Sequence, residues 1–185
     1  MTLPAIRPMT LVDLDAIMQI ERQAFKHPWS RHMYLTDLQQ NRMATYLVVH
    51  LSDAGDDGVP PVLAYGGFWL MMDEAHIATV ASHPDWRGCG LGQYIMLGLI
   101  EHAIERGAVS STLEVRVGNV AARTLYEKLG YEPRGLRRRY YEDGEDALIM
   151  TTPALAEPDM QSRLALAREG AIRHLEKCFG RVNDG

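Results

Sequence analysis

The sequence predicts a mixed α/β fold: a central, mostly antiparallel sheet flanked by helices, with an extra helix at the C-terminal end. Three observations carry this. β-rich runs over 46–51, 62–71 and 76–82 follow one another with no helical segment between them, which favours an antiparallel meander. From residue 91 onward, helical and β-rich segments alternate. After Pro158, Leu164, Ala167, Ala171, Leu175 and Cys178 recur at spacings of three and four, the stripe of an amphipathic helix. Antiparallel strands first and alternation second make a mixed sheet rather than a doubly wound one.

Taken in order, residues 5–7 suit a short strand closed by Pro8. Thr10 offers an N-cap, with Asp13 in the first turn, to a helix carrying Leu14, Ile17, Met18 and Phe25. His27-Pro28-Trp29 interrupts that helix, and Ser30 caps a shorter one with Met33, Tyr34 and Leu38. Segment 52–61 is polar, glycine-bearing and proline-ended, and reads as a mobile hairpin loop between strands rather than a domain linker. Asp73-Glu74 turns the chain into the next strand, which Pro84 closes. A helix with Leu91, Ile95, Leu99 and Ala103 on one stripe then runs to Arg106-Gly107. A strand over 112–117, a helix capped by Asn119 and ended by Gly130, and strands near Tyr131 and over 147–152 complete the pattern. The expected organisation is one catalytic domain, 1–153, and a helical extension, 154–185, packed on the core or on a second subunit as a homodimer contact, with a solvated, frayed tail as the other reading.

Composition limits the function classes. At 185 residues, 46% hydrophobic and 23% charged, the chain buries an adequate core without metals or disulfides. No apolar run approaches the roughly 20 residues of a membrane span, and the first residues lack the basic region and apolar core of a signal peptide. A soluble, cytoplasmic protein is expected. The net charge of -5 argues against a nucleic-acid surface, and the basic run Arg137-Arg138-Arg139 is followed at once by Glu142, Asp143, Glu145 and Asp146. Cys89 and Cys178 make neither a C-x-x-C nor a zinc spacing and are expected to be reduced. His76 and His83, seven apart with no companion cysteine or paired carboxylate motif, give no metal site.

The segment Arg87-Gly88-Cys89-Gly90-Leu91-Gly92 joins a strand to a helix. Such a turn presents successive backbone N–H groups at a positive helix end, which suits a phosphate or pyrophosphate. No lysine follows the glycines, as a P-loop requires, and position 93 is Gln where a dinucleotide fingerprint needs a third glycine. The pattern [Q/R]-x-x-G-x-[G/A] is met by Arg87, Gly90 and Gly92; a tight turn without a ligand is the other reading. Further on, Glu114 lies on a strand and Tyr126 on the helix that Asn119 caps. By residue type alone, Glu114 also suits a strand-edge ion pair with Arg116, and Tyr126 a packed aromatic.

Taken together, these motifs resemble the GNAT N-acetyltransferase family, and within it the bacterial ribosomal-protein-alanine N-acetyltransferases. The resemblance rests on Arg87-x-x-Gly90-x-Gly92, the L-E-V-R of 113–116, Asn119 with Ala121-Ala122, and L-Y-E-x-x-G-[YF] over 125–131. Arg137-Arg138-x-Tyr140-Tyr141, followed by Glu145-Asp146-Ala147, and Pro28-Trp29-Ser30 also match. It covers about residues 5 to 153, without the 52–61 loop. It departs at Ser82, where an aliphatic residue is common, at His83, where an acidic one is, and at Gly88, where Arg or Gln is.

The resemblance implies the GNAT fold and acetyl-CoA as donor. It implies Glu114 as the base, acting through water, and Tyr126 as the acid for the departing thiolate. The CoA pyrophosphate falls to the backbone of Gly88, Cys89, Gly90, Leu91, Gly92 and Gln93, beside Arg87. The pantetheine falls to Val80, Ala81 and Ser82, with Asn119 also on the cofactor. Pro28, Trp29, Tyr140 and Tyr141 frame the peptide entrance. The implied acceptor is a protein N-terminus, a ribosomal protein's N-terminal alanine. A lysine side chain or small amine is the alternative acceptor, and a CoA-binding regulatory module without turnover the alternative class. Direct transfer leaves Cys89 no acyl-carrying role.

Overall fold

The computed structural model describes residues 3–51 and 62–180, so the loop expected over 52–61 lies outside the described residues. The strands are β1 (Ala5–Pro8), β2 (Ala44–His50), β3 (Ala64–Met71), β4 (Glu74–Ser82), β5 (Ser110–Arg116), β6 (Glu132–Arg137) and β7 (Ala147–Thr151). They form one sheet in the order β1-β2-β3-β4-β5-β7-β6. The helices are α1 (Leu14–Ala24), α2 (Arg31–Gln40), α3 (Leu91–Glu105), α4 (Val120–Lys128) and α5 (Pro158–Phe179).

Local chemistry accounts for the helix starts. Asp13 closes the turn before α1, accepting from the Thr10 N–H at 2.8 Å and from both terminal nitrogens of Arg7 at 2.7 Å. Ser30 and Asn119 cap α2 and α4, accepting from the N–H groups of Met33 and Ala122. Gly107, at φ +92°, follows the end of α3 in a conformation that glycine adopts without strain.

The sheet divides two apolar cores. One lies beneath α3 and α5 and holds Leu99, Leu113, Val115 and Met150; the other lies beneath α1 and α2 and holds Leu14, Ile17, Tyr34 and Tyr65. Consecutive glycines in β3 let both cores come close to the sheet. A Cβ on Gly67 would stand 2.2 Å from the Tyr46 ring, and one on Gly66 would stand 2.8 Å from Leu99.

One interruption positions the site. The antiparallel meander β2-β3-β4 continues into a parallel pairing of β4 with β5 that holds only for Glu74, Ala75 and His76 against Ser110, Ser111 and Thr112. β4 runs on to Ser82 beside β3, while β5 pairs with β7 through Arg116. The two strands therefore part after His76, leaving an opening in the sheet.

At α5 one expected alternative, packing on the core, is found in place of a second-subunit contact, and one expectation is corrected. Its apolar stripe (Leu164, Ala167, Ala171, Leu175) is buried against α3 of the same chain. Gln93 donates to the Ala167 carbonyl at 2.7 Å, and Trp86 stacks on Phe179 with ring centroids 5.0 Å apart. The stripe is thus used within the protomer and is not a surface for a homodimer. Cys89 and Cys178 are joined as a disulfide with Cα atoms 5.7 Å apart, rather than standing as free thiols. Nothing in their spacing announces this; docking α5 along α3 brings its last turn over the glycine loop.

The buried hydroxyls set a pH limit on the fold. Tyr34, Tyr65 and Tyr131 are pushed above the usual tyrosine range, chiefly by burial, with Glu21 adding to the rise at Tyr34 and Tyr65. Folded tyrosines then hold protons that the unfolded chain releases near pH 10, so stability falls as pH rises above about 10. Thermal melts should be flat from about pH 8 to pH 10 with respect to these groups. Above that, Tm should fall, with a step in phenolate absorbance from the buried tyrosines appearing at the melt and not before it.

Candidate active site

Alternation along β5 decides which side chains reach the opening. Leu113 and Val115 enter the core beneath α3, so Glu114 and Arg116 emerge on the opposite face. There they meet a cavity of about 710 Å³ enclosed by the end of α1 and the segment after it, β4, β5, α4 and the β6–β7 connection. Its walls include Glu114, Tyr126, Asn119 and Val80 together with Trp29, Tyr140 and Tyr141. The proposed base, acid and most of the acceptor frame are therefore brought together. Pro28, Ala81, Ser82 and residues 87–93 are not among its walls.

Glu114 is nearly buried, its side chain 10% exposed. Oε2 lies 2.6 Å from Nε2 of His76, and Oε1 lies 3.2 Å from Arg137 of β6. The ion pair with Arg116 that residue type allowed is not formed. Arg116 donates instead to Asp143 at 3.0 Å and Glu145 at 2.8 Å, and lies 3.9 Å from the Tyr141 ring centroid. Its hydrogen bonds hold the Asp143 carboxyl down at about 2, so this clamp on the β6–β7 connection stays charged at any working pH.

Tyr126 projects from α4 into the same cavity, 5.9 Å from Tyr131 between ring centroids. Burial, and after it Tyr141, push its hydroxyl up to about 12. It is a protonated donor throughout the neutral range.

The acceptor wall depends on Glu21, which sequence reasoning missed. Glu21 is 1% exposed and accepts from the Trp29 N–H at 2.8 Å, the Tyr34 hydroxyl at 2.8 Å and the Tyr65 hydroxyl. Its signal was positional: it falls four residues after Ile17 and seven after Leu14, on an otherwise apolar stripe. At the mouth, Lys26 reaches Asp143 at 3.5 Å and His27 reaches Glu142 at 2.9 Å, tying the segment after α1 to the β6–β7 connection.

The expected donor site fits a long thioester bearing a pyrophosphate. No side chain caps α3, so its first N–H groups, on Leu91, Gly92 and Gln93, are free to bind an anion. Gly88 and Gly90 adopt φ +82° and +80°, and a Cβ at Gly88 would meet nothing within 4 Å. From this loop the edge of β4 that β5 leaves leads back to Val80 on the cavity wall, a path of backbone groups that an extended amide chain can pair with.

Residues 14–131 match the Acetyltransferase (GNAT) family. The chain belongs to this family. It is 40% identical over 150 residues to a putative ribosomal protein bS18-alanine N-acetyltransferase of Bacillus subtilis, covering 80% of this chain and 95% of that one. It is 36% identical over 148 residues to the bS18-alanine N-acetyltransferase of Salmonella typhimurium, covering 78% and 94%. Among solved structures, the ribosomal-protein-S18-alanine N-acetyltransferase of Escherichia coli superposes with a TM-score of 0.72 at 31% identity, covering 85% of this chain and 98% of that one. Among the described residues no group of three or more His, Cys, Asp or Glu side chains is placed to hold a metal ion, and no helix is long and apolar enough to cross a membrane.

Proposed function

We propose that this acetyltransferase carries an acetyl group from acetyl-CoA to the N-terminal α-amine of a ribosomal protein beginning with alanine, in the cytoplasm. The observation that carries the reading is the single cavity shared by Glu114, Tyr126 and the aromatic frame of Trp29, Tyr140 and Tyr141. The names of the relatives support the choice of acceptor.

In this reading the donor's pyrophosphate lies on the N–H groups of 88–93 and its amide arm along β4, past Val80, Ala81 and Ser82. Asn119 meets it from the start of α4. Glu114 takes one proton from the acceptor ammonium through water. The amine nitrogen attacks the thioester carbonyl, the N–C bond forms, the C–S bond breaks, and Tyr126 donates to the departing sulfur. A hydroxyl near 12 and a thiol near about 8.5 differ by roughly 5 kcal/mol in proton affinity. Tyr126 therefore acts by hydrogen-bonding to charge that develops on sulfur, and full transfer accompanies C–S cleavage rather than preceding it.

The α-amine is the easier acceptor. Its pKa of about 7.7–8.0 leaves roughly a tenth neutral at pH 7, whereas a lysine near 10.4 is about 2.5 units, or near 3.5 kcal/mol, further away. Peptides beginning with alanine, with free or blocked N-termini and an internal lysine, test this. Transfer should occur only to the free α-amine, with kcat/KM rising through about pH 8 and no fall from Tyr126 below about pH 10. Acetylation of the lysine in the blocked peptide, with none at the free N-terminus, would overturn the reading.

A further inference from the structure

Both oxygens of Glu114 are engaged, and by very different partners. Arg137, at 3.2 Å from Oε1, is a guanidinium, which offers only donors. His76, at 2.6 Å from Oε2, is an imidazole, a group whose ring nitrogens can both donate and accept a proton. It occupies the last paired position of β4 against β5, opposite Thr112, so the register that opens the sheet also fixes the imidazole beside Glu114. Its side chain is 23% exposed against 10% for Glu114, which makes the imidazole the wetter end of the pair. The neighbouring strand offers Trp69 as its register partner, and the indole is held by Asp37. The charged groups around the pair are thus Glu114 and Arg137, with Glu74 two residues earlier on β4.

We infer that His76 is a positioning and proton-relay residue for Glu114: it fixes the carboxylate and carries to solvent the proton that the carboxylate takes from the acceptor ammonium. The inference rests on the proposed reading of Glu114 as base. The proton passes from the ammonium through water to Glu114, then from Oε2 to the unprotonated Nε2 of the Nδ1–H tautomer of His76; the imidazolium releases its Nδ1 proton to water, and proton exchange with water resets the tautomer. Carboxylate and neutral imidazole are restored each turnover, and no other co-reactant is involved. The second amine proton leaves after attack and balances the one that Tyr126 gives to sulfur.

The test uses the full chain with His76→Gln, His76→Ala and Glu114→Gln, acetyl-CoA, and two acceptors: an alanine-starting peptide and an aminooxyacetyl peptide whose nitrogen is neutral at pH 7. With the α-amine at pH 7, His76→Gln should lose about 10- to 100-fold in kcat at unchanged KM for acetyl-CoA, and regain most of it by about pH 9. With the aminooxy acceptor it should stay within about twofold of the parent. Added imidazole should raise the rate of His76→Ala, and melts should show both variants folded. An unchanged kcat on the α-amine, or an equal loss on both acceptors, overturns the relay. If Glu114→Gln falls while His76→Gln does not, the relay alone fails; if Glu114→Gln keeps the parent rate, the reading of Glu114 as base fails with it.

Discussion

Glu114→Gln and Tyr126→Phe should each lower kcat by about 10²- to 10⁴-fold, the range that a positioned acid or base contributes. The two losses have different causes. A glutamine at 114 keeps the volume and can still hydrogen-bond, but it has no lone pair basic enough for the ammonium proton, and its amide NH₂ must face either His76 or Arg137. Phenylalanine at 126 keeps the buried ring against Tyr131 and removes only the hydroxyl, so the thiolate departs without a donor. Neither residue lies in the glycine loop, and KM for acetyl-CoA should stay within a few-fold in both. Steady-state rates followed by thiol release at saturating donor give the answer. Near-parent kcat in both variants would remove acid–base catalysis from these two positions.

Opening the Cys89–Cys178 bond is expected to be the largest stability change available from a single bond. It closes a loop with a sequence separation of 89 residues, and disulfides of this kind contribute typically about 2–4 kcal/mol. For a chain of this size that corresponds to a fall in Tm of roughly 4–16 °C. Cys178→Ser, or the parent protein in a dithiol reductant, should show it by calorimetry. The stripe of Leu164, Ala167, Ala171 and Leu175 remains to hold α5, so the reduced protein should still melt cooperatively. Coincident melts with and without reductant would show that the bond adds nothing to that stripe. In a reducing compartment the dithiol form is the relevant one, and its melt is the one to compare with working temperature.

Much of this fold was legible because its signals are local. β-rich runs marked β2, β3 and β4; Ser30 and Asn119 marked helix starts; and the stripe from Leu164 to Leu175 marked α5. Glu114, Tyr126 and the tyrosine pair were legible only as an ordered set of motifs, since each alone suits a packing role. What stayed hidden depends on register and docking. His76 reaches Glu114 only because β4 pairs with β5 in parallel for three residues, and Cys178 reaches Cys89 only because α5 lies along α3. Arg116 looked like the partner of Glu114 because the two are close in sequence. The β6–β7 connection brings two carboxylates nearer to it, and Arg116 follows them.

The knot at Glu21 bears on how the acceptor preference of such an enzyme drifts. One buried carboxylate is shared by a backbone N–H eight residues on and by hydroxyls thirteen and forty-four residues on. A change of side chain at Glu21, Tyr34 or Tyr65 strands a polar group of the others, at a cost of about 1–3 kcal/mol each, so single-step substitutions there are selected against and paired ones are rare. Lys26, His27, Tyr140 and Glu142 stand at the same mouth, where the ion pairs of Lys26, and of His27 with Glu142, are exposed and water can replace a lost partner. Lineages that switch acceptor should therefore show their exchanges at these rim positions first, with the Glu21, Tyr34 and Tyr65 trio inherited as a block.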